Sequence, residues 1–235
     1  MPTGGRVAAL DEHLNALWYL LRNGCAWRAL PDEFGCWFTV YQYFNRLSLH
    51  GFFDWLHEQL LLGKEAEVVY EDSMHCKVHQ HANGCKDRAA QAVGRSRGGL
   101  NTKIHAVCDS LLRLAGKLVL TGGNVSDFTA APELTADLHD CVVTGDKGYD
   151  SRQHRADLRS RGCEPCIPSR RNTKCPEPYD ETLYRARHCI ENLFQRMKVY
   201  RRVATRYEKT SRMFLALVLC SVAATYDQFN LWGPM

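Results

Sequence analysis

The sequence predicts an α/β fold in which a mixed β-sheet is flanked by helices and preceded by a small helical region. Three observations lead to this prediction. Apolar residues recur at helical spacing through the first sixty residues. Short apolar runs typical of strands begin at residue 68 and are separated by turn-forming residues. Helix-like stretches then alternate with the later strands, which is the order found in sheets covered by helices.

The helical region is predicted to occupy residues 1–64. Its first helix has apolar residues three or four positions apart over residues 10–21, and Gly24 ends it. Two further helices are predicted over residues 38–49 and 52–62. Short aromatic-rich helices joined by Gly and Pro fit a helix-turn-helix-like DNA-binding module. They fit a helical bundle without DNA contact equally well, and the sequence leaves both interpretations open.

The second region, residues 65–235, is predicted to hold the sheet. The predicted strands cover residues 68–70, 102–108, 117–120, 141–144 and 166–167. Helices are predicted over residues 130–139 and 151–160, and residues 94–99 are predicted to be a turn. The longest apolar run, residues 213–224, is shorter than the roughly 20 residues of a membrane span, so we expect a buried helix there.

Composition indicates an ordinary packed protein. The chain has 235 residues, of which 45% are hydrophobic, and its formal net charge is +4. The amino terminus lacks a basic-then-apolar signal peptide, so we expect a cytoplasmic protein without a membrane partner. The eleven cysteines are spread along the chain, which favours reduced thiols over a disulfide framework.

The cysteines and histidines also raise the hypothesis of a zinc site. Cys76, His79, His81 and Cys85 together resemble a set of zinc ligands. The single CxxC motif, formed by residues 163–166, has no second pair to complete a tetrahedral site. The first cluster therefore leaves a zinc-binding interaction module open as an interpretation.

Two aspartates occupy equivalent places in the predicted sheet. Asp72 follows the apolar run at residues 68–70, and Asp146 follows the run at residues 141–144. Ligands of open α/β sheets bind beyond the carboxyl ends of strands. An isolated Asp at such a position is more often a turn former or helix cap, but two with the same placement favour a site. Asp150, four residues beyond Asp146, is expected to matter much less for the chemistry of this site.

A long helix over residues 184–202 is predicted to supply a third carboxylate. Its apolar face comprises Leu183, Ala186, Ile190, Leu193 and Met197. A second face comprises Tyr184, Arg187, Glu191 and Lys198. Periodicity alone is also compatible with an exposed helix in which Glu191 forms salt links with its neighbours.

Basic residues are concentrated between residues 185 and 212. The bases are Arg185, Arg187, Arg196, Lys198, Arg201, Arg202, Arg206, Lys209 and Arg212. Only two acidic residues interrupt them. Such a stripe suits a phosphate backbone, and it is equally compatible with a solvated helix face.

The spacing of Tyr184, Arg187, Glu191 and Lys198 resembles the YREK signature of bacterial insertion-sequence transposases of the DDE class. The segments that begin at Asp72 and at Gly145 resemble the blocks that hold the first and second catalytic aspartates of that family. Similar segments occur at residues 94–105 and 207–209, and within the predicted N-terminal helices at residues 27–31, 40–41 and 44. The resemblance covers nearly the whole chain.

The resemblance implies a ribonuclease-H-like core. It implies that Asp72, Asp146 and Glu191 hold two Mg²⁺ (or Mn²⁺) ions for metal-dependent DNA chemistry. Tyr184, Arg187 and Lys198 are then expected to face DNA. From the basic stripe we also expect phosphate contacts at Arg201, Arg202 and Arg206.

The expected activity is cleavage at transposon ends followed by strand transfer. The expected partners are double-stranded DNA, as terminal inverted repeats and target, and a second copy of the chain on paired ends. Relatives often begin earlier than this chain, so a truncated, inactive DNA-binding relic is also compatible with the sequence. The same holds for a host metal nuclease on this fold and for the zinc-binding interaction module.

Overall fold

The computed structural model describes residues 5–61, 66–84 and 87–225. The helices are α1 Gly5–Asn23, α2 Trp37–Leu49, α3 Phe52–Leu61, α4 Ala131–Leu134, α5 Arg152–Ser160, α6 Glu181–Arg185, α7 His188–Lys198, α8 Arg201–Ala204 and α9 Ser211–Thr225. The strands are β1 Val68–Val78, β2 Gly94–Ser96, β3 Gly99–Cys108, β4 Val119–Gly122, β5 Val142–Gly145, β6 Glu164–Cys166 and β7 Thr205–Arg206.

Within the described residues, seven strands form one mixed sheet in the order β2-β3-β1-β5-β6, with β4 paired to β3 and β7 to β1. β1 runs antiparallel to β3 and parallel to β5. β6 extends the parallel half beside β5. This architecture confirms the predicted class, a mixed sheet flanked by helices and consistent with a ribonuclease-H-like core.

Helices cover both faces of the sheet. Side chains alternate along a strand, so Tyr70 and Met74 of β1 pack into a core shared with α7 and α9. Val69 points the opposite way, into a second core with Leu134 of α4 and Leu158 of α5. Asp72 lies between Tyr70 and Met74 in the alternation and therefore belongs to the α7 face.

The three N-terminal helices pack onto the same face as α7 and α9. Leu20, Phe44 and Phe53 lie in the core cluster that also holds Met74 of β1 and Phe214 of α9. The observed α2 and α3 begin and end within one residue of the predicted helices. α9 is the predicted buried helix, and no helix in the described part of the chain is long and apolar enough to cross a membrane. The division at residue 64 stays a prediction.

Two predicted elements differ from the structure. The first strand was predicted to end at Tyr70 but continues to Val78, because β3 and β7 pair with its polar second half. Asp72 therefore lies inside β1 and not after its end.

The predicted helix over residues 184–202 is three helices instead. Asp180 caps α6 by accepting from two backbone N–H groups. Tyr200, in extended conformation before α8, packs edge-on against Trp18 of α1. The chain bends between α7 and α8 where Tyr200 meets α1, and the periodicity of the segment gave no sign of this tertiary contact.

Two further segments also differ from their predictions. The predicted helix over residues 130–139 is limited to α4, where the Thr135 hydroxyl bonds back to the carbonyl of Ala131. The predicted turn at residues 94–99 contains β2, which forms a hairpin with β3, and Gly99 takes a positive φ of 97° at that turn.

Candidate active site

Asp72 lies within β1, and Asp146 directly follows β5, the parallel strand beside it. The register pairs Glu71 of β1 with Gly145 of β5, so the two aspartates follow at adjacent positions. A Cβ on Gly145 would lie 2.6 Å from Oε1 of Glu71, so only glycine allows this close approach. Parallel strands thus bring the two predicted carboxylates together at one edge of the sheet.

The turn after Asp146 is tight. The Gly148 amide donates to Oδ1 of Asp146 at 2.6 Å. A Cβ on Gly148 would lie 2.7 Å from that oxygen and 3.2 Å from Oδ2 of Asp127. The turn therefore places a further aspartate, Asp127, close to Asp146.

Glu191 reaches the same edge from α7. Ile190, Leu193 and Met197 are fully buried and fix this helix against the sheet. The Glu191 side chain points outward and is 54% exposed. Arg187, at the N-terminal boundary of α7, donates to Oδ2 of Asp72 and, at 3.2 Å, to Oε1 of Glu191. One guanidinium group thus links the first aspartate to the glutamate.

The Arg187 guanidinium lies between the carboxylates of Asp72 and Glu191 and keeps them apart. Within residues 5–61, 66–84 and 87–225, no three His, Cys, Asp or Glu side chains are arranged to hold a metal ion. Asp72 and Asp146 lie side by side, while Glu191 joins them through the arginine. The assignment of these three residues as ligands stays a proposal.

The electrostatics of Asp72 fit a cation site. Burial raises the pKa of Asp72 to about 6, and the neighbouring charge of Asp146 adds to the rise, although Arg187 and the Ser73 amide oppose it. A bound cation would offset the neighbouring negative charges of Asp72 and Asp146. Hard divalent cations prefer such oxygen ligands, so the donor set of Asp72, Asp146 and Glu191 fits Mg²⁺ or Mn²⁺.

A polar network on the opposite face of the sheet was not predicted from the sequence. Oδ1 of Asp127 accepts from the Ser73 hydroxyl at 2.7 Å and from Nζ of Lys103 at 2.9 Å. Burial alone would raise the pKa of Asp127, but these two hydrogen bonds and the Lys103 charge hold it below its usual value. The network fixes the backbone next to Asp72. Asp127 lies 54 residues from Ser73 in the sequence, so no local pattern could reveal the contact.

His105 borders this network. Its Nδ1 lies 3.2 Å from the Tyr149 hydroxyl and 3.9 Å from Asp127, and its Nε2 lies 2.8 Å from the Thr121 hydroxyl. Burial lowers the pKa of His105 to about 4; Asp127 opposes this shift, while Lys103 and His75 add to it. The ring is therefore neutral at pH 7.

Asp150 anchors the loop that follows β6. It accepts from the Arg155 guanidinium at 2.9 Å, from the Arg170 amide at 2.8 Å and from the Thr173 hydroxyl at 3.4 Å. These bonds lower the pKa of Asp150 although burial alone would raise it. These contacts give Asp150 a structural role, and the expectation that it matters much less than Asp146 for DNA cleavage stays a prediction.

The predicted basic stripe divides into exposed and buried members. Lys198 and Arg201 are exposed. The prediction of phosphate contacts is wrong for Arg202 and Arg206, since they are only 3% and 0% exposed. Both arginines are held inside the protein and stabilise the fold around Glu208.

Their partners explain this burial. Arg202 donates to Oε1 of Glu208 at 2.9 Å and to the Cys25 carbonyl at 2.8 Å. Arg206 donates to the Thr102 hydroxyl at 2.7 Å and to the Glu208 carbonyl at 2.9 Å. Burial raises the pKa of Glu208, with Arg202 opposing the shift.

Tyr184 lies beside the arginine that links the carboxylates. Its ring contacts Tyr179 at 5.4 Å between centroids, and the Arg187 guanidinium lies 5.8 Å from the ring centroid. Tyr184 and Arg187 thus come together although they belong to different helical segments.

The zinc hypothesis finds little support in the structure. The Cys76 thiol is buried and donates to the Val203 carbonyl at 2.8 Å, and burial raises the pKa of Cys76 to about 12. Zinc binds the thiolate, which this surrounding disfavours. His79 stacks on Tyr207 at 4.6 Å, and Cys85 lies outside the described residues. In the CxxC segment, Cys163 contacts the Cys141 thiol at 3.7 Å.

Comparison with known proteins agrees with this architecture. Residues 64–226, more than half of the chain, match the family model described as "Transposase DDE domain", and residues 1–57 match "Putative transposase of IS4/5 family".

Two relatives carry related names. One is "Putative transposase for insertion sequence element IS6501" of Brucella ovis, 34% identical over 121 residues, which cover 51% of this chain and 92% of the relative. Another is "Putative transposase for insertion sequence element IS402" of Burkholderia cepacia, 31% identical over 119 residues, which cover 44% of this chain and about half (54%) of the relative. Together with the family models, these matches show that the chain belongs to the DDE-domain transposases of bacterial insertion sequences.

Proposed function

We propose that this chain catalyses metal-dependent cleavage at transposon ends and strand transfer into target DNA. One observation carries the proposal. Asp72 of β1 lies beside Asp146, which directly follows the parallel strand β5, and Glu191 reaches the same edge from α7 through its contact with Arg187. Membership of the DDE transposase family supports the same activity.

The three carboxylates would hold the divalent ions. When bound, two Mg²⁺ (or Mn²⁺) ions lower the pKa of the attacking water or 3′-hydroxyl and offset charge on the phosphoryl group. Asp72 and Asp146 orient the reacting groups from the rigid sheet, which keeps them within the narrow tolerance that such chemistry needs. No covalent protein nucleophile is required, because the nucleophile is the water or the DNA hydroxyl itself.

The DNA is proposed to approach across α7. Arg187 lies at the start of this helix, Tyr184 lies on α6 just before it, and Lys198 is exposed at its end. Arg201, which is also exposed, continues this surface past the helix. Cations so placed can contact phosphates, position the duplex and reduce its repulsion from the carboxylates. Paired transposon ends and a second copy of the chain belong to the same proposal.

A plasmid nicking and strand-transfer assay tests this function. Asp72→Asn, Asp146→Asn and Glu191→Gln each keep the size of the side chain but remove its negative charge. We expect each variant to lose Mg²⁺-dependent nicking of DNA that carries the element's ends while still binding it. Mn²⁺ is expected to restore a little activity because it accepts a wider range of ligands.

Glu181→Gln is the matched control. Glu181 lies on α6 and pairs with Arg185 four residues later, much as Glu191 pairs with Arg187. Its side chain is 71% exposed, so the variant should keep wild-type nicking. Activity that survives all three changes would refute the proposal. A wild-type chain that binds the ends but never nicks them would favour the inactive DNA-binding relic.

A further inference from the structure

The loop between β6 and α6 lies directly against the turn that follows Asp146. Arg170 donates from its guanidinium group to the carbonyls of Lys147 and Gly148, each at 3.1 Å. Its backbone amide donates to Asp150 at 2.8 Å. The Arg170 guanidinium also lies 5.7 Å from the ring centroid of Phe128. These contacts join the loop to the residues that immediately follow Asp146.

The contacts of Arg170 therefore give it a structural role, and no comparable contacts in the part of the chain that the structure describes explain the basic residues near it. Lys147, Arg171 and Lys174 are exposed, and within the described ranges none of the three takes part in an ion pair. An exposed cation without a partner is ordinarily a solvated one. Lys147 directly follows Asp146, however, and Arg171 and Lys174 lie on the loop that Arg170 joins to the same turn.

The loop and the end of α7 flank the carboxylates. α7 packs against β1 and β3, and its eleven residues carry Lys198 about 10 Å along the helix from Glu191. The loop that carries Arg171 and Lys174 follows β6, which lies on the other side of β5 from β1 and is the last strand in the order of the sheet. Asp72 and Asp146 lie between the two sets of cations. Since Arg202 and Arg206 are buried, α7 and its extension supply fewer phosphate contacts than their sequence predicts.

We propose that Lys147, Arg171 and Lys174 form a second contact for the phosphate backbone of double-stranded DNA, across the carboxylates from Lys198 and Arg201. The inference rests on the proposed function, because it places the same DNA on both sides of the same site. Each phosphate that binds a cation releases condensed counterions, which makes affinity fall with salt. Arg170 holds this surface in place and does not bind DNA.

The salt dependence of DNA binding tests the surface. Binding of a fluorescent duplex is measured by anisotropy in EDTA, where cleavage cannot occur, over a series of NaCl concentrations. One lost phosphate contact lowers the slope of log K against log salt by about 0.9. The double change of Arg171→Gln and Lys174→Gln should therefore lower the slope by nearly 2. The loss should be equal for duplexes with and without the element's ends, because phosphates carry no sequence information.

Lys117→Gln is the matched control for Lys174→Gln. Lys117 is 48% exposed but precedes β4 at the opposite edge of the sheet, where it pairs with Asp137. It should leave the slope unchanged. An unchanged salt slope in the double variant, or an equal fall of the slope in Lys117→Gln, would contradict the proposed DNA-binding surface. If the wild type binds DNA with a normal slope in that case, the proposed function survives; if the wild type does not bind DNA at all, both fail.

Hydrogen exchange separates the role of Arg170 from that of Arg171. Arg170→Gln removes the two bonds to the carbonyls of Lys147 and Gly148, so amide exchange should rise roughly tenfold over residues 169–174. Arg171→Gln should leave exchange there unchanged while it lowers the salt slope. The same exchange behaviour in both variants would contradict the distinction between the anchoring arginine and the binding one.

Discussion

Arg187→Gln removes the guanidinium group that joins Asp72 to Glu191. The Arg187 and Asp72 side chains are only 18% and 19% exposed, and a hydrogen bond to a charged group in such surroundings contributes about 1.5–3 kcal/mol. The contact with the more exposed Glu191 contributes about 0–1 kcal/mol. A cation that binds Asp72 and Glu191 directly has to replace these contacts. The arginine should therefore weaken cation binding to the free protein by roughly 10- to 100-fold.

The assay is a Mn²⁺ titration without DNA, followed by electron paramagnetic resonance. Arg187→Gln should bind Mn²⁺ roughly 10- to 100-fold more tightly than the wild type. Arg185→Gln is the control, because Arg185 lies two residues away and pairs only at the surface, with Glu181. It should match the wild type. Equal or weaker Mn²⁺ binding in Arg187→Gln, or the same gain in Arg185→Gln, would refute the reasoning.

Three further predictions concern stability, which urea unfolding measures. Arg202→Gln should lower the free energy of unfolding by about 3–5 kcal/mol, because it leaves the buried carboxylate of Glu208 without its cation. The control Lys198→Gln should change the free energy of unfolding by less than about 0.5 kcal/mol. Similar values for the two variants would indicate that Arg202 is an exposed cation like Lys198. Asp127→Ala should cost about 1.5–3 kcal/mol, and Asp127→Asn, which keeps the acceptor, clearly less; equal costs would exclude the hydrogen-bonded role. The pKa of His105 is about 4 in the folded protein, below its unfolded value of 6.5. The contribution of the neutral ring to the free energy of unfolding is therefore complete above pH 6.5, and it is lost as the pH falls towards 4. That loss, about 3 kcal/mol, should disappear in His105→Gln, and an identical pH profile in the variant would contradict it.

Elements with strong local patterns were predictable from the sequence. Apolar spacing located α2 and α3 within a residue, since each buries one continuous face. The apolar runs predicted an aspartate just after each of two core strands. This is correct for Asp146, whereas Asp72 lies within β1, and the parallel pairing of β1 with β5 makes the two neighbours.

Features that depend on distant contacts were not predictable. The polar residues Glu71 to Ser73 interrupt the apolar alternation of β1, so its second half gave no strand signal. Charge density along the sequence could not show that Arg206 would be enclosed by Thr102 and Glu208. Such a stripe has the same composition whether its arginines face phosphates or buried carbonyls, and only the packing of the sheet distinguishes the two.

Anomalous diffraction from Mn²⁺ in crystals of the protein bound to a DNA end tests the central claim most directly. The account predicts Mn²⁺ peaks within coordination distance of Asp72, Asp146 and Glu191, with the Arg187 guanidinium moved away from the first and third of these carboxylates. Mn²⁺ at another set of side chains, or Arg187 still bonded to both carboxylates with DNA and Mn²⁺ present, would contradict it.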